Sequence, residues 1–262
     1  MDLGLRGRVA IVAAGSKGLG LAVADELAAE GALVVICARG KEALGAAAAS
    51  LQRHGGRAHG VVADVSRPDD IAHVVEEAQR VFGPVSILVT NSGGPKAGRF
   101  DTLTAADWED ATRVLLTSAV TFARAVLPGM RAQRWGRILN VTSIAAKQPV
   151  DGLMLSNSLR AGVIAFARTL ANEVATEGIT VNNLIPGYTR TERVVELSNH
   201  MAATTSTTPA AVVAQWEAEI PMRRIGEPRE FAALAAFLAS DRASYITGQS
   251  IAVDGGWIRS LM

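Results

Sequence analysis

The eight residues Ala13 to Gly20, AAGSKGLG, suggest the first chemistry. They follow an apolar run, RVAIVAA, and lead into an Ala-rich helical pattern from Leu19 to Glu30 that stops at Gly31. Glycines between a strand and a helix let the backbone turn tightly and approach a pyrophosphate. The start of the helix adds free N–H groups and the positive end of its dipole. Gly15, Ser16, Lys17, Gly18, Leu19 and Gly20 therefore read as a phosphate cradle. A second set of polar residues lies further on: Ser143, Lys147, Ser156, Arg160 and Tyr188. Ser156 opens a helical stretch, LMLSNSLRAGVIAFARTLANEV, and Arg160 follows four residues later. Hydroxyls can orient a carbonyl. Lys147 can supply a cation or a proton, and the Tyr188 phenol can face a substrate. The only other tyrosine, Tyr245 in ASYITGQ, is expected to be packed.

These residues need a scaffold. Short β-branched runs alternate with helical patterns along the chain. The expected strands are RVAIVAA, LVVICA, AHGVVADV, SILVTN, GRILNVTS, ITVNNLIPG and QSIAVDGG. Between them lie KEALGAAAASLQRH, PDDIAHVVEEAQRVFG, a long helix capped by Thr104 that runs to Met130, the Leu153 stretch, and PREFAALAAFLAS. Strands apolar nearly throughout, with helices between them, imply a parallel sheet covered on both faces. The expected fold class is α/β, a single doubly wound domain over 1–262 with about seven strands. Ligands then bind beyond the carboxyl ends of the strands. A Thr-rich break, Asn199 to Pro221, points to a small substrate lid over about 190–222.

Bulk properties narrow the function. A net charge of +1 argues against a nucleic-acid partner or an acidic membrane surface. One cysteine, Cys37, excludes an intrachain disulfide and reads as buried. The four histidines, His54, His59, His73 and His200, have no ligand-like spacing, so no metal site is expected. No apolar run reaches a membrane span, and a cytoplasmic location is expected.

In combination these motifs resemble the short-chain dehydrogenase/reductase family, near its 3-oxoacyl-ACP reductases. The resemblance covers essentially all of the chain. Gly18, Leu19 and Gly20 match the end of the family's glycine loop, while Ala13 and Ala14 replace its Thr and first Gly. Asp64 and Val65 resemble the adenine-binding motif. Asn91 and Gly93, in NSGG, resemble Asn-Asn-Ala-Gly, and NVTS ends at Ser143. Pro186, Gly187, Thr189 and Thr191 match the segment that contacts the carboxamide and phosphates of the cofactor. The resemblance implies a nicotinamide cofactor. Members that use NAD place an acid after strand two; here Arg39 stands there and Lys17 is a second cation, so NADP(H) is expected.

The family's chemistry rests on a Ser, a Tyr thirteen residues on, a Lys four beyond that, and an Asn in the preceding long helix. Those places hold Ser143, Ser156, Arg160 and Leu115. The proton route is therefore expected to be missing. Arg160 can still donate to ribose hydroxyls, so cofactor binding is expected to survive. Three readings follow. The first is an NADP(H)-dependent oxidoreductase on a carbonyl, imine or enone small molecule, with another proton source. The second is a redox-neutral enzyme on the same scaffold: a lyase, isomerase, cyclase or dehalogenase. The third is a non-catalytic NADP(H)-binding protein. A homotetramer, or else a dimer, is expected through the helices Trp108 to Leu127 and Ser156 to Thr176, whose Ala- and Leu-rich faces exceed what one sheet can cover.

Overall fold

The computed structural model describes residues 2–53 and 56–260, so His54, the expected end of the second helix, lies outside the described residues. The strands are β1 (Val9–Ala13), β2 (Leu33–Ala38), β3 (Arg57–Val62), β4 (Val85–Thr90), β5 (Gly136–Val141), β6 (Ile179–Pro186) and β7 (Ser250–Val253). They form one parallel sheet in the order β3-β2-β1-β4-β5-β6-β7. The order reverses between β1 and β4, and the crevice there is where this topology binds ligands.

Period-two burial explains the two cores. In β1 and β2, Val12, Val34 and Ile36 face the cluster that includes Leu27 of α1 (Gly18–Ala29) and Phe231. Their neighbours Ile11, Val35 and Cys37 face the other cluster. That second side is covered by α3 (Pro68–Phe82), α5 (Ser118–Gln133) and α6 (Met154–Val174). Helix α2 (Lys41–Arg53) covers β3, and α9 (Pro228–Ala239) packs beside α1. Burial pushes the Cys37 thiol up to about 12, so it is a packing group and a poor nucleophile.

Local signals set the helix ends. Pro68 opens α3, with Asp69 and Asp70 in its first turn, and Gly83 closes it at φ +100°. Thr104 caps α4 (Ala105–Thr112): its hydroxyl accepts the Asp107 N–H at 3.2 Å, and the Asp107 carboxylate accepts the Thr104 N–H at 2.9 Å.

Two expectations change. The long helix from Thr104 is not continuous: a five-residue π turn, Arg113–Thr117, separates α4 from α5. Such turns swing side chains off the regular helical stripe. Tyr245 is not packed but fully exposed, at 102% of its reference area. It follows a short 3₁₀ turn in which Ala243 takes the interior place, and Ile246 then packs onto the core.

The expected lid is two helices, α7 (Glu192–Thr205) and α8 (Pro209–Glu219). The Thr-rich centre makes the turn between them. Ser206 is left-handed at φ +53°, and the Thr208 hydroxyl accepts the Ala211 N–H at 3.2 Å to start α8. Ala202, Val212, Trp216 and Ile225 form a separate apolar cluster inside this cap. Among the described residues no helix is long and apolar enough to cross a membrane.

Candidate active site

The glycine loop leaves β1 through Ala14, which is left-handed at φ +48°. Gly15 then donates to the Cys37 carbonyl at 3.1 Å, and a Cβ on it would lie 2.7 Å from the Ile36 side chain. A Cβ on Gly20 would lie 2.3 Å from the Ala14 carbonyl oxygen and 2.9 Å from Asn91 Nδ2. Only glycine fits at these two places. Gly18 is left-handed at φ +58°, and its missing side chain leaves open space whose nearest wall is Thr191, 3.7 Å away. The backbone therefore lies bare between the start of α1 and the start of α7, as a phosphate cradle requires. Ala14 is strained where the family has glycine. Ala14→Gly should stabilise the protein by about 1 kcal/mol, read as a rise of a few degrees in Tm.

Cations flank this cradle. Lys17 pairs with Glu192 of α7, and that carboxylate raises it above its usual range. Both side chains are about two-thirds exposed. Arg39 is exposed just after β2. Asp64, after β3, accepts the Ser66 N–H at 2.9 Å. That bond, with Arg39 and Arg67 adding to it, holds the carboxyl below its usual range. Val65 is half-buried beside it.

The five polar candidates Ser143, Lys147, Ser156, Arg160 and Tyr188 are spread over several elements. Arg160 is 9% exposed on α6. Its Nη1 donates to the carbonyls of Val141 at 3.0 Å and Thr142 at 2.8 Å, and its Nε is buried with no acceptor. It lines a narrow pocket of about 10 Å³, room for a single water, walled also by Thr90, Asn91, Leu115, Ser118 and Val163. The π turn places Leu115, 5% exposed, in the wall of the same pocket. Burial pushes Arg160 down to about 10, and the nearby charge of Arg193 pushes the same way.

Ser143 caps a 3₁₀ turn, Ile144–Ala146, its hydroxyl accepting the Ala145 N–H at 3.2 Å. Lys147 ends that turn and is exposed. Ser156 is buried at 8% exposure in the first turn of α6, which packs on the 3₁₀ turn. Asn157 fastens the intervening loop: it donates to the Val150 carbonyl at 3.0 Å and accepts the Val150 N–H at 3.3 Å.

Beyond β6, Pro186 leads into Gly187, which donates to the Val253 carbonyl at 2.9 Å. A Cβ on Gly187 would lie 2.6 Å from Asp254 Cα. Thr189 and Thr191 fold this segment by donating to the Gly187 and Thr189 carbonyls, each at 3.2 Å. Tyr188 stacks on Trp216 of α8 at 4.3 Å between centroids and meets Trp257 edge-on at 6.1 Å. Burial pushes its phenol up to about 12. That is the wrong direction for a proton donor near neutrality. Gly93 is exposed with open space around it, and a Cβ on Gly94 would strike the Arg193 guanidinium at 2.7 Å. Among the described residues no group of three acidic, histidine or cysteine side chains could hold a metal.

Sequence reasoning missed Arg193, which reads there as an ordinary surface cation in the first turn of a helix. It also missed the π turn. The run Val114, Leu115, Leu116 is apolar on any helical period and carries no signal for it.

The family described as enoyl-(acyl carrier protein) reductase matches residues 13–258. The chain is a short-chain dehydrogenase/reductase. It is 38% identical over 251 residues to a Streptomyces virginiae protein named as a ketoacyl reductase of a monensin polyketide synthase, covering 95% of this chain and 96% of the relative. It is 35% identical over 254 residues to the 3-oxoacyl-[acyl-carrier-protein] reductase of Vibrio cholerae, covering 97% and 98%. Its fold overlays that of L-sorbose reductase from Gluconobacter frateurii, solved with NADPH and L-sorbose. There the TM-score is 0.94 at 34% identity, and both chains are fully covered. The single sheet of seven parallel strands is that of a short-chain dehydrogenase/reductase, as the sequence led one to expect.

Proposed function

We propose that this short-chain dehydrogenase/reductase is an NADP(H)-dependent oxidoreductase that acts on a carbonyl, imine or enone small molecule without a tyrosine donor. The observation that carries the reading is the bare backbone cradle at Gly15, Gly18 and Gly20, with Asn91 packed against it. Such a loop fits a dinucleotide pyrophosphate. Lys17 and Arg39 suit a 2′-phosphate, and the structural neighbour named above carries NADPH. Thr189 and Thr191 would hold the nicotinamide end, and Arg160 the ribose hydroxyls.

A bound nicotinamide supplies or takes up a hydride. The chain must orient the reacting group and handle the proton. Ser143 and Ser156, on packed neighbouring elements, would orient the oxygen by hydrogen bonds. Lys147, exposed at the end of the same turn, or a water beside it, would deliver the proton to that oxygen. Tyr188 serves the cap in this reading. The site wall at Leu115 offers no hydrogen bond to a relay water. A redox-neutral reaction is the second reading, because Arg160 and Leu115 occupy the pocket where the family keeps its proton relay. The assembly we propose is a homotetramer, supported by the partly exposed apolar residues Leu116, Ile164 and Phe166 on the two long helices.

The test is titration with NADPH and NADH, followed by nicotinamide absorbance with a panel of ketones, enones and imines. NADPH should bind more tightly, and Arg39→Asp should narrow or reverse the preference. Equal wild-type affinities would overturn the NADP(H) assignment. Substrate consumed with no change in nicotinamide absorbance would establish the redox-neutral reading instead.

A further inference from the structure

Arg160 is a buried cation whose pocket has no acid in its walls. Its two carbonyl partners satisfy Nη1 but not its charge, and Nε faces no acceptor. A second guanidinium, Arg193, stands close enough to repel it. Arg193 comes from the first turn of α7 and lies over Gly94, three residues past Asn91 in the pocket wall. Gly94 leaves room for it: a Cβ there would lie 2.7 Å from the guanidinium and make it shift. Its own ties are slight: Glu196 at 3.5 Å on the exposed face of α7, and the Pro95 carbonyl at 3.5 Å. Glu192, the residue before Arg193, is engaged by Lys17.

A buried guanidinium with no acid in its pocket, and a second one nearby held by Glu196 only at 3.5 Å, are costly alone and favourable around an anion. We propose that Arg160 and Arg193 form an oxyanion subsite at the mouth of this pocket, one that takes a planar carboxylate of the substrate or a phosphate oxygen of the cofactor. The ribose hydroxyls that Arg160 would also meet in the oxidoreductase reading are neutral and leave its charge uncompensated. The start of α7 adds its positive dipole end to the same place. This inference rests on the oxidoreductase reading and names an anionic group that its site holds.

The experiment is calorimetry on the intact protein with three probes: 4-oxopentanoate, its methyl ester and inorganic diphosphate. NADPH is titrated separately, so a failure of the oxidoreductase reading shows there and not in the probe comparison. The variants are Arg193→Gln and Arg193→Lys. Arg193 is about half exposed, so both should fold. If the substrate supplies the anion, the wild type binds the carboxylate about tenfold or more tighter than the ester. Arg193→Gln then removes that ratio, and Arg193→Lys keeps part of it. If the cofactor supplies the anion, the ratio is near one, while diphosphate and NADPH each weaken about tenfold in Arg193→Gln. An Arg193→Gln protein that binds all four molecules within about twofold of the wild type overturns the subsite. So does a wild type that binds neither the carboxylate nor diphosphate in the millimolar range.

Discussion

Turnover of a simple ketone should rise about 10²–10⁴-fold when Leu115→Asn, Ser156→Tyr and Arg160→Lys are combined, the range general acid catalysis contributes. The three positions lie together. Leu115 and Arg160 wall one pocket, and Ser156 sits one turn before Arg160 on α6. A tyrosine needs a neighbouring ammonium to draw its pKa toward neutrality. The relay needs a side chain at 115 that holds water. Ser156→Tyr alone should therefore gain little, because Arg160 spends its Nη1 on the Val141 and Thr142 carbonyls and Leu115 repels water. Residues that act as a unit do not add. The same triple change should impair the native reaction, which uses the pocket as it stands. Steady-state kinetics of wild type, single and triple variants decides the matter. A wild type that already reduces simple ketones at rates ordinary for its family would refute the missing proton route and move attention to Lys147.

Arg160→Met should leave the fold intact and raise its stability while it weakens ligand binding. The guanidinium is 9% exposed, has no acid partner and is pushed down to about 10 by burial. Replacing even a buried ion pair by apolar side chains of similar volume is often neutral or gains about 1–4 kcal/mol, and Arg160 lacks the acid partner of such a pair. Losing two bonds to backbone carbonyls takes back about 1–3 kcal/mol. A net gain near the low end is expected, seen as a Tm a few degrees higher in the absence of ligand. With NADPH added the order should reverse, since the stabilisation by a ligand grows with its affinity. A variant that melts well below the wild type without ligand would show that Arg160 is a structural strut. Function would then have no claim on its charge.

Much of the scaffold was legible. Strand β2 came out at Leu33–Ala38 as read, because the seven apolar or small residues between Gly31 and Arg39 leave no other use for them. Helix α3 runs from Pro68 to its stop at Gly83, since both ends carry backbone chemistry in the residue type itself. The tight glycine turn between β1 and α1 was legible for the same reason: glycines report a backbone requirement. What stayed hidden depends on distant packing. Ala14 ranks as a helix former, yet its backbone is left-handed, and its carbonyl fills the space where a Cβ on Gly20 would lie. Tyr188 has the position of a substrate-facing residue, but Trp216, twenty-eight residues away, claims its ring. Arg193 becomes informative only once Gly94 and Arg160 are beside it.

The cap has a core of its own, and that divides the molecule energetically. Ala202, Val212, Trp216 and Ile225 pack on one another, apart from both clusters that flank the sheet. Its links to the sheet include the Tyr188–Gly226 backbone bond and the exposed Lys17–Glu192 pair. A unit held together internally but fastened lightly opens without the rest. Backbone amides of α7 and α8 should therefore exchange with solvent deuterium through a sub-global opening that leaves β1, β4 and β5 protected. A ligand that spans the cradle and the cap would then slow exchange in α7 and α8 while leaving the central strands unchanged.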